Sequence, residues 1–176
     1  LSPDGLAADE HVVLMKENSH LQLIFPKTDG NFVPSLLRNF SAPVIVKDDL
    51  SSSERLCLIA HDTDMFNRWD SAQKSLSNQI LASIIDQESE NAAMVDLGNV
   101  FSKALADSEL PDKFKSSLLT LPAISVLESL METADPISLF FARRRIESKL
   151  GRFLAPQISL MLKRQAPAKK SESEML

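Results

Sequence analysis

The strongest helical pattern in the chain runs from His61 to Ile85. Phe66, Trp69, Gln73, Leu76, Ile80 and Ile84 recur at spacings of three and four, so they fall on one face of a helix. Asp64 stands where an N-cap belongs, because its carboxylate can accept from the free N–H groups of the first turn. Trp69, the only Trp, lies near the middle of that face and reads as a core residue. Upstream, Ser51 to Glu54 has the form of a capping box and opens a helix through Leu56, Ile59 and Ala60. Downstream, a polar connection at Glu88 to Asn91 leads to Met94, Leu97, Phe101 and Leu105, an amphipathic helix ending near Asp107. Pro111 suits the first turn of a helix from Phe114 to Leu119. Pro122 starts another, with Ile124, Leu127 and Met131 inward. Asp135 caps the last helix and Pro136 takes its first position, with Ile137, Phe140, Phe141 and Ile146 as apolar positions. Helices of this length with Pro and Asp punctuation predict antiparallel helix pairs, without a visible fixed-period repeat.

Before residue 50 the pattern changes. Val12 to Met15, Leu21 to Phe25 and Pro43 to Val46 are short β-type runs, the first two joined by a turn-like Lys16 to His20 as a hairpin. The predicted fold class is therefore α+β: a strand-bearing segment at 1–49, a helical domain at 50–163 and a tail of disordered composition at 164–176.

Composition adds limits. The 176 residues are 44% hydrophobic and 24% charged, as in ordinary globular chains. A net charge of −5 argues against a general nucleic-acid binder. Cys57 is the single Cys, so no internal disulfide forms; it lies in the apolar run from Leu56 to Ala60 and reads as a buried, inert thiol. No basic start followed by an apolar run marks a signal peptide, and no apolar stretch approaches the ~20 residues a membrane-spanning helix needs. The expectation is a soluble cytoplasmic protein, or one in an organelle, with no membrane partner. Leu1 in place of Met suits a fragment or a processed product.

Several stretches together resemble one family. Asp64, Phe66, Arg68, Trp69 and Gln73 resemble the D-x-F-x-R-W-x-x-x-Q segment of the aminopeptidase N family of zinc metallopeptidases, in its bacterial and organellar branch. Val33 to Val44, with Pro34, Leu36 and Leu37 ahead of Phe40, Ser41, Ala42, Pro43 and Val44, is similar to the family's stretch that ends F-S-A-P-V. Leu119 to Pro122 matches L-T-L-P and Asp135 to Ile137 matches D-P-I, all in one order across roughly residues 10 to 160. The resemblance implies that residues 1–49 are the end of an Ig-like β-sandwich and that the helices begin a domain of stacked helix pairs. The β-type runs are too few for a sandwich of about seven strands, so a partial, open one is expected. Gly151 and Pro156 depart from the family where it continues one helix; proline there should kink or split the helix. The likeness ends after Lys163.

In that family the chemistry belongs to an upstream domain holding zinc with His-Glu-x-x-His and a more distant Glu, and binding the substrate amine near Gly-x-Met-Glu-Asn. Neither pattern occurs here, and none of His11, His20 and His61 is followed by Glu. The resemblance therefore implies a non-catalytic structural fragment, inactive alone, whose zinc, peptide substrates and N-terminal peptidase activity lie in a missing catalytic domain that is its partner. The alternative is a stand-alone helical interaction module left after loss of the peptidase domain. No catalytic, cofactor-binding or metal residue is assigned. His61, Asp62 and Asp64 read as a solvated helix entrance with a cap, since zinc takes three or four ligands. Arg143, Arg144 and Arg145, with Lys149 and Arg152, point about 100° apart on a helix and form no single focus for phosphate or RNA; Glu147 pairs with part of them. Arg68 is expected to pair with Asp64 at i, i+4.

Overall fold

The computed structural model describes residues 20, 32–41, 43–44, 46–85 and 91–165. The chain divides between Phe32 and Val33, and the unit from Val33 onward carries the helices. These are α1 (Ser52–His61), α2 (Met65–Ile85), α3 (Asn91–Ala106), α4 (Asp112–Leu119), α5 (Ile124–Glu128) and α6 (Pro136–Gln165), preceded by a 3-10 turn at Arg38–Phe40.

Local chemistry sets the helix starts. At α1 the Glu54 N–H donates to Ser51 Oγ (3.3 Å) and the Ser51 N–H to Glu54 Oε2 (2.8 Å), a complete capping box. At α2 the Phe66 and Asn67 N–H groups donate to Asp64 Oδ1 at 2.9 and 3.1 Å. At α6 the Ser138 N–H donates to Asp135 Oδ1 at 3.0 Å, and Pro136 occupies a first-turn position where no donor is required.

α1 and α2 pack as a hairpin; α6 lies against α2, α3 and α5, and α1 also packs on α3. The core joins Ile59 of α1, Leu76 and Ile80 of α2, Leu97, Phe101 and Leu105 of α3, Leu118 of α4, Leu127 of α5, and Leu139, Ala142, Ile146, Leu150 and Leu154 of α6. Each large apolar side chain so buried contributes about 1.5–3 kcal/mol. α3 and α6 meet closely at buried Gly98, where a Cβ would stand 2.8 Å from Cδ1 of Phe153.

The structure corrects the fold class. Regular structure among the described residues is helical throughout, with no strand and no sheet, so α+β with an Ig-like β-sandwich remnant gives way to an all-α architecture over those residues. The runs 12–15 and 21–25 lie outside the described residues. Residues 33–37 are non-helical chain ending in the 3-10 turn, and Pro43, Val44 and Val46 pair with no neighbouring strand. Pro34 and Pro43 lack the N–H that a ladder needs. Leu37 (φ 53°) and Asn39 (φ 54°) take the left-handed conformation, which ends any strand.

Two readings of helix faces also change, and one of helix continuity. On α2, Leu76 and Ile80 are buried as expected, but Phe66 is 40% exposed and Trp69 only half-buried. The buried stripe there runs through Asn67, Arg68, Ser71 and Ala72 instead. On α6, Ile137, Phe140 and Phe141 are exposed, while Leu139, Ala142, Ile146, Leu150 and Leu154 face inward. The helix also continues through Pro156 without a break. Pro156 and Arg152 are both exposed, so the Arg152 carbonyl that loses its donor can turn to water.

Candidate functional site

The polar groups of the described residues concentrate where the 33–41 segment meets the α1–α2 connection. Buried Asp62 is the hub. Its Oδ2 accepts from Ser35 Oγ (2.6 Å), and its Oδ1 accepts from Arg38 Nη1 (2.6 Å) and from the Asp64 N–H (2.8 Å). The other terminal nitrogen of Arg38 donates to Thr63 Oγ1. Asn67 donates its amide to Ser35 Oγ (2.8 Å) and to the Leu36 carbonyl (2.9 Å). The Asn39 N–H donates to Asp64 Oδ2 at 2.9 Å. That bond, opposed by burial and joined by those from Asn67 and Phe66, holds the Asp64 carboxyl below the usual carboxylate range. The left-handed Leu37 and Asn39 make these contacts possible by turning the chain so sharply; for Leu such a conformation costs about 1–2 kcal/mol, which the network offsets.

Beside this junction lies a cavity of ≈ 260 Å³ walled by Leu36, Val44, Val46, Leu58 and Phe66. Its polar end is an ion cluster. Asp48 takes Arg55 Nη2 at 2.5 Å and Lys74 Nζ at 3.0 Å, and Lys74 also meets Asp70 at 2.9 Å. Burial works against the Asp48 charge, but hydrogen bonds from Lys74, Arg55 and the Leu50 N–H prevail and lower its pKa. Burial likewise works against Lys74, and its bonds to Asp70 and Asp48 prevail and raise its pKa.

Both carboxylates of Asp62 and Asp64 are committed to the junction, and among the described residues no three His, Cys, Asp or Glu side chains gather to hold a metal. The arginine run disperses: Arg143 Nε donates to the Pro122 carbonyl (3.0 Å), Arg145 to the Ser83 carbonyl (2.6 Å), and Arg144 approaches Glu147 (3.8 Å). Cys57 is exposed, not buried as expected; α1 turns it outward while Leu58 and Ile59 take the core. Arg68 does not pair with Asp64, whose oxygens serve backbone N–H groups. It is buried and donates Nε to the Ile59 carbonyl at 2.8 Å. Gln73 Nε2 donates to the Thr120 carbonyl at 2.8 Å, tying α2 to the Leu119–Pro122 stretch. The Asp62 hub was not foreseen; a short polar Ser next to Pro34, and Asn67 between Phe66 and Arg68, were its only traces in sequence.

Antiparallel helices stacked on one another, with an extended segment pinned across a helix entrance, define a helical-repeat scaffold. The chain belongs to the C-terminal helical domain of the aminopeptidase N family: the family model described as "Domain of unknown function (DUF3458_C) ARM repeats" matches residues 52–175. That match runs past Lys163, where the resemblance read from sequence ended. Aminopeptidase N of Caulobacter vibrioides is 31% identical over 154 residues, covering 86% of this chain and 17% of that protein. Aminopeptidase N of Escherichia coli K12 is 29% identical over 128 residues, covering 72% of this chain and 15% of that protein. Among solved structures, aminopeptidase A of Legionella pneumophila in complex with aspartic acid superposes with a TM-score of 0.64 at 27% identity, over 80% of this chain and 16% of that one. The chain therefore spans about a sixth of the length of these relatives.

Proposed function

We propose that this chain is a non-catalytic, architectural part of an aminopeptidase N-type metallopeptidase. The match of residues 52–175 to the family's helical-repeat domain supports this reading. In it, the catalytic domain is the partner; the zinc and the removal of N-terminal residues from peptides belong to that domain, and the helices here help wall the cavity that admits peptide ends. The residues present do not fit the family's zinc site. The sequence has no His-Glu-x-x-His, and the Asp62 and Asp64 oxygens are already hydrogen-bonded. We further propose a cytoplasmic or organellar location; no helix among the described residues is long and apolar enough to cross a membrane.

The test is a chimera. Residues 52–165 of this chain replace the matching segment of the Caulobacter aminopeptidase N, and hydrolysis of leucine p-nitroanilide is measured. The chimera is expected to fold and hydrolyse the substrate, and the 176-residue chain alone to leave it intact even with added zinc. Zinc-dependent hydrolysis by the isolated chain, or a chimera that folds without activity, would defeat the architectural reading.

A further inference from the structure

Arg68 is only 8% exposed, yet its guanidinium is only partly used. Nε donates to the Ile59 carbonyl, and Cζ lies 5.7 Å from the centroid of the Phe114 ring. Among the described residues the two terminal nitrogens meet no acceptor. They are not sealed in either, unlike the enclosed unpartnered atoms Arg55 Nη1, Arg145 Nε and Gln157 Oε1. Arg68 forms part of the wall of a cavity of ≈ 370 Å³ between α1 and α3, distinct from the one beside Asp48. A fixed guanidinium with free terminal N–H groups is the fork that a carboxylate fits.

The same cavity holds a second, opposite charge. Asp107 attracts Arg68 through space but closes no ion pair with it. Its Oδ1 is held by the Glu109 N–H at 2.9 Å, which fixes the carboxylate at the C-terminal end of α3. The same wall carries apolar side chains: Leu56, Val100 and Ala104. Lys103 also lines it, so the cationic side exceeds the anionic one.

We propose that this cavity binds a free apolar α-amino acid, with its carboxylate on Arg68, its ammonium on Asp107 and its side chain against Leu56, Val100 and Ala104. The proposal rests on these positions and stands apart from the architectural role. Neither charge by itself selects a zwitterion; a guanidinium and a carboxylate lining one cavity together with apolar side chains do, because each ligand charge meets its opposite and the ligand's side chain leaves water.

The full chain is titrated with L-leucine by calorimetry, beside L-leucine amide, N-acetyl-L-leucine and acetate. Saturable binding of one leucine per chain is expected, with the amide and the N-acetyl compound each about tenfold weaker or more, since each loses one charge-assisted contact. Arg68→Lys removes the fork and should weaken leucine about tenfold. Asp107→Asn keeps the oxygen that accepts from the Glu109 N–H and should weaken leucine similarly while leaving the N-acetyl compound unchanged. Because Arg68 is buried, Asp107→Asn decides the matter if Arg68→Lys unfolds. No saturable leucine binding, equal binding of leucine and its amide, displacement by acetate as effective as by leucine, or unchanged leucine binding in folded Asp107→Asn each overturns the proposal.

Discussion

Asp62 shows how one carboxylate joins two distant stretches. Three donors from Ser35, Arg38 and Asp64 converge on it, and its side chain is 1% exposed. Asp62→Ala leaves the Ser35 hydroxyl and the Asp64 N–H without their acceptor. Arg38 is 42% exposed and can return its charge to water, so the expected loss is about 2 kcal/mol, less than for a fully buried pair. Urea unfolding followed by circular dichroism checks this; a change under about 0.5 kcal/mol would show the hub to be dispensable. Charge at Asp48 and Asp64 gives a pH dependence. Their folded-state pKa values lie below the ordinary 3.8, so the stability they contribute is complete above that pH and fades as pH falls through the folded values. Asp48→Asn should flatten the acid side of the stability profile. Lys74 acts in the opposite direction: its pKa is raised above 10.5, so its contribution is whole below that pH and is lost as pH climbs through the folded value.

Among the elements, α3 and α6 depend on one missing side chain. The Phe153 ring lies where a Cβ on Gly98 would be, 2.8 Å from its Cδ1. Ala would add about 1 kcal/mol of helix propensity, but overlap with the ring costs about 1–3 kcal/mol. Gly98→Ala is therefore expected to lose about 1 kcal/mol. With Phe153→Ala already made, the same change should become stabilising. The double-mutant cycle should return a coupling of about 1–2 kcal/mol; additivity would mean that the ring moves aside freely. The caps at Ser51, Asp64 and Asp135 were legible because capping is local, a side chain reaching N–H groups two or three residues on. The inner face of α3 was legible too, since a helix covered on one side shows its stripe at 3.6-residue spacing. α2 and α6 were misread near their first turns. There apolar residues exceed the area the neighbours cover, and spacing alone does not say which of two adjacent stripes turns inward.

For the molecule as a whole, the consequence is a surplus of apolar surface. Ile137, Phe140 and Phe141 are 72%, 54% and 57% exposed, and Leu130 is 56% exposed; Phe140 and Phe141 stack edge to face at 5.5 Å. A surface of this kind favours association. Replacing Ile137, Phe140 and Phe141 together by Ser should lower the apparent mass in light scattering at high concentration, with the helical circular dichroism kept. Unchanged mass would place any self-association elsewhere. By itself the sequence determined the helical half of the fold, its cap residues, most of the core of α3, and membership of the aminopeptidase N family, because all of these rest on short-range spacing or on ordered motifs. Tertiary structure alone decided that the described residues between 33 and 46 carry no strand, that Asp62 gathers Ser35 and Arg38, that Cys57 faces out, and that Arg68 turns from Asp64 to the Ile59 carbonyl. Those outcomes depend on which groups from remote parts of the chain arrive side by side, and periodicity along the chain does not hold that information.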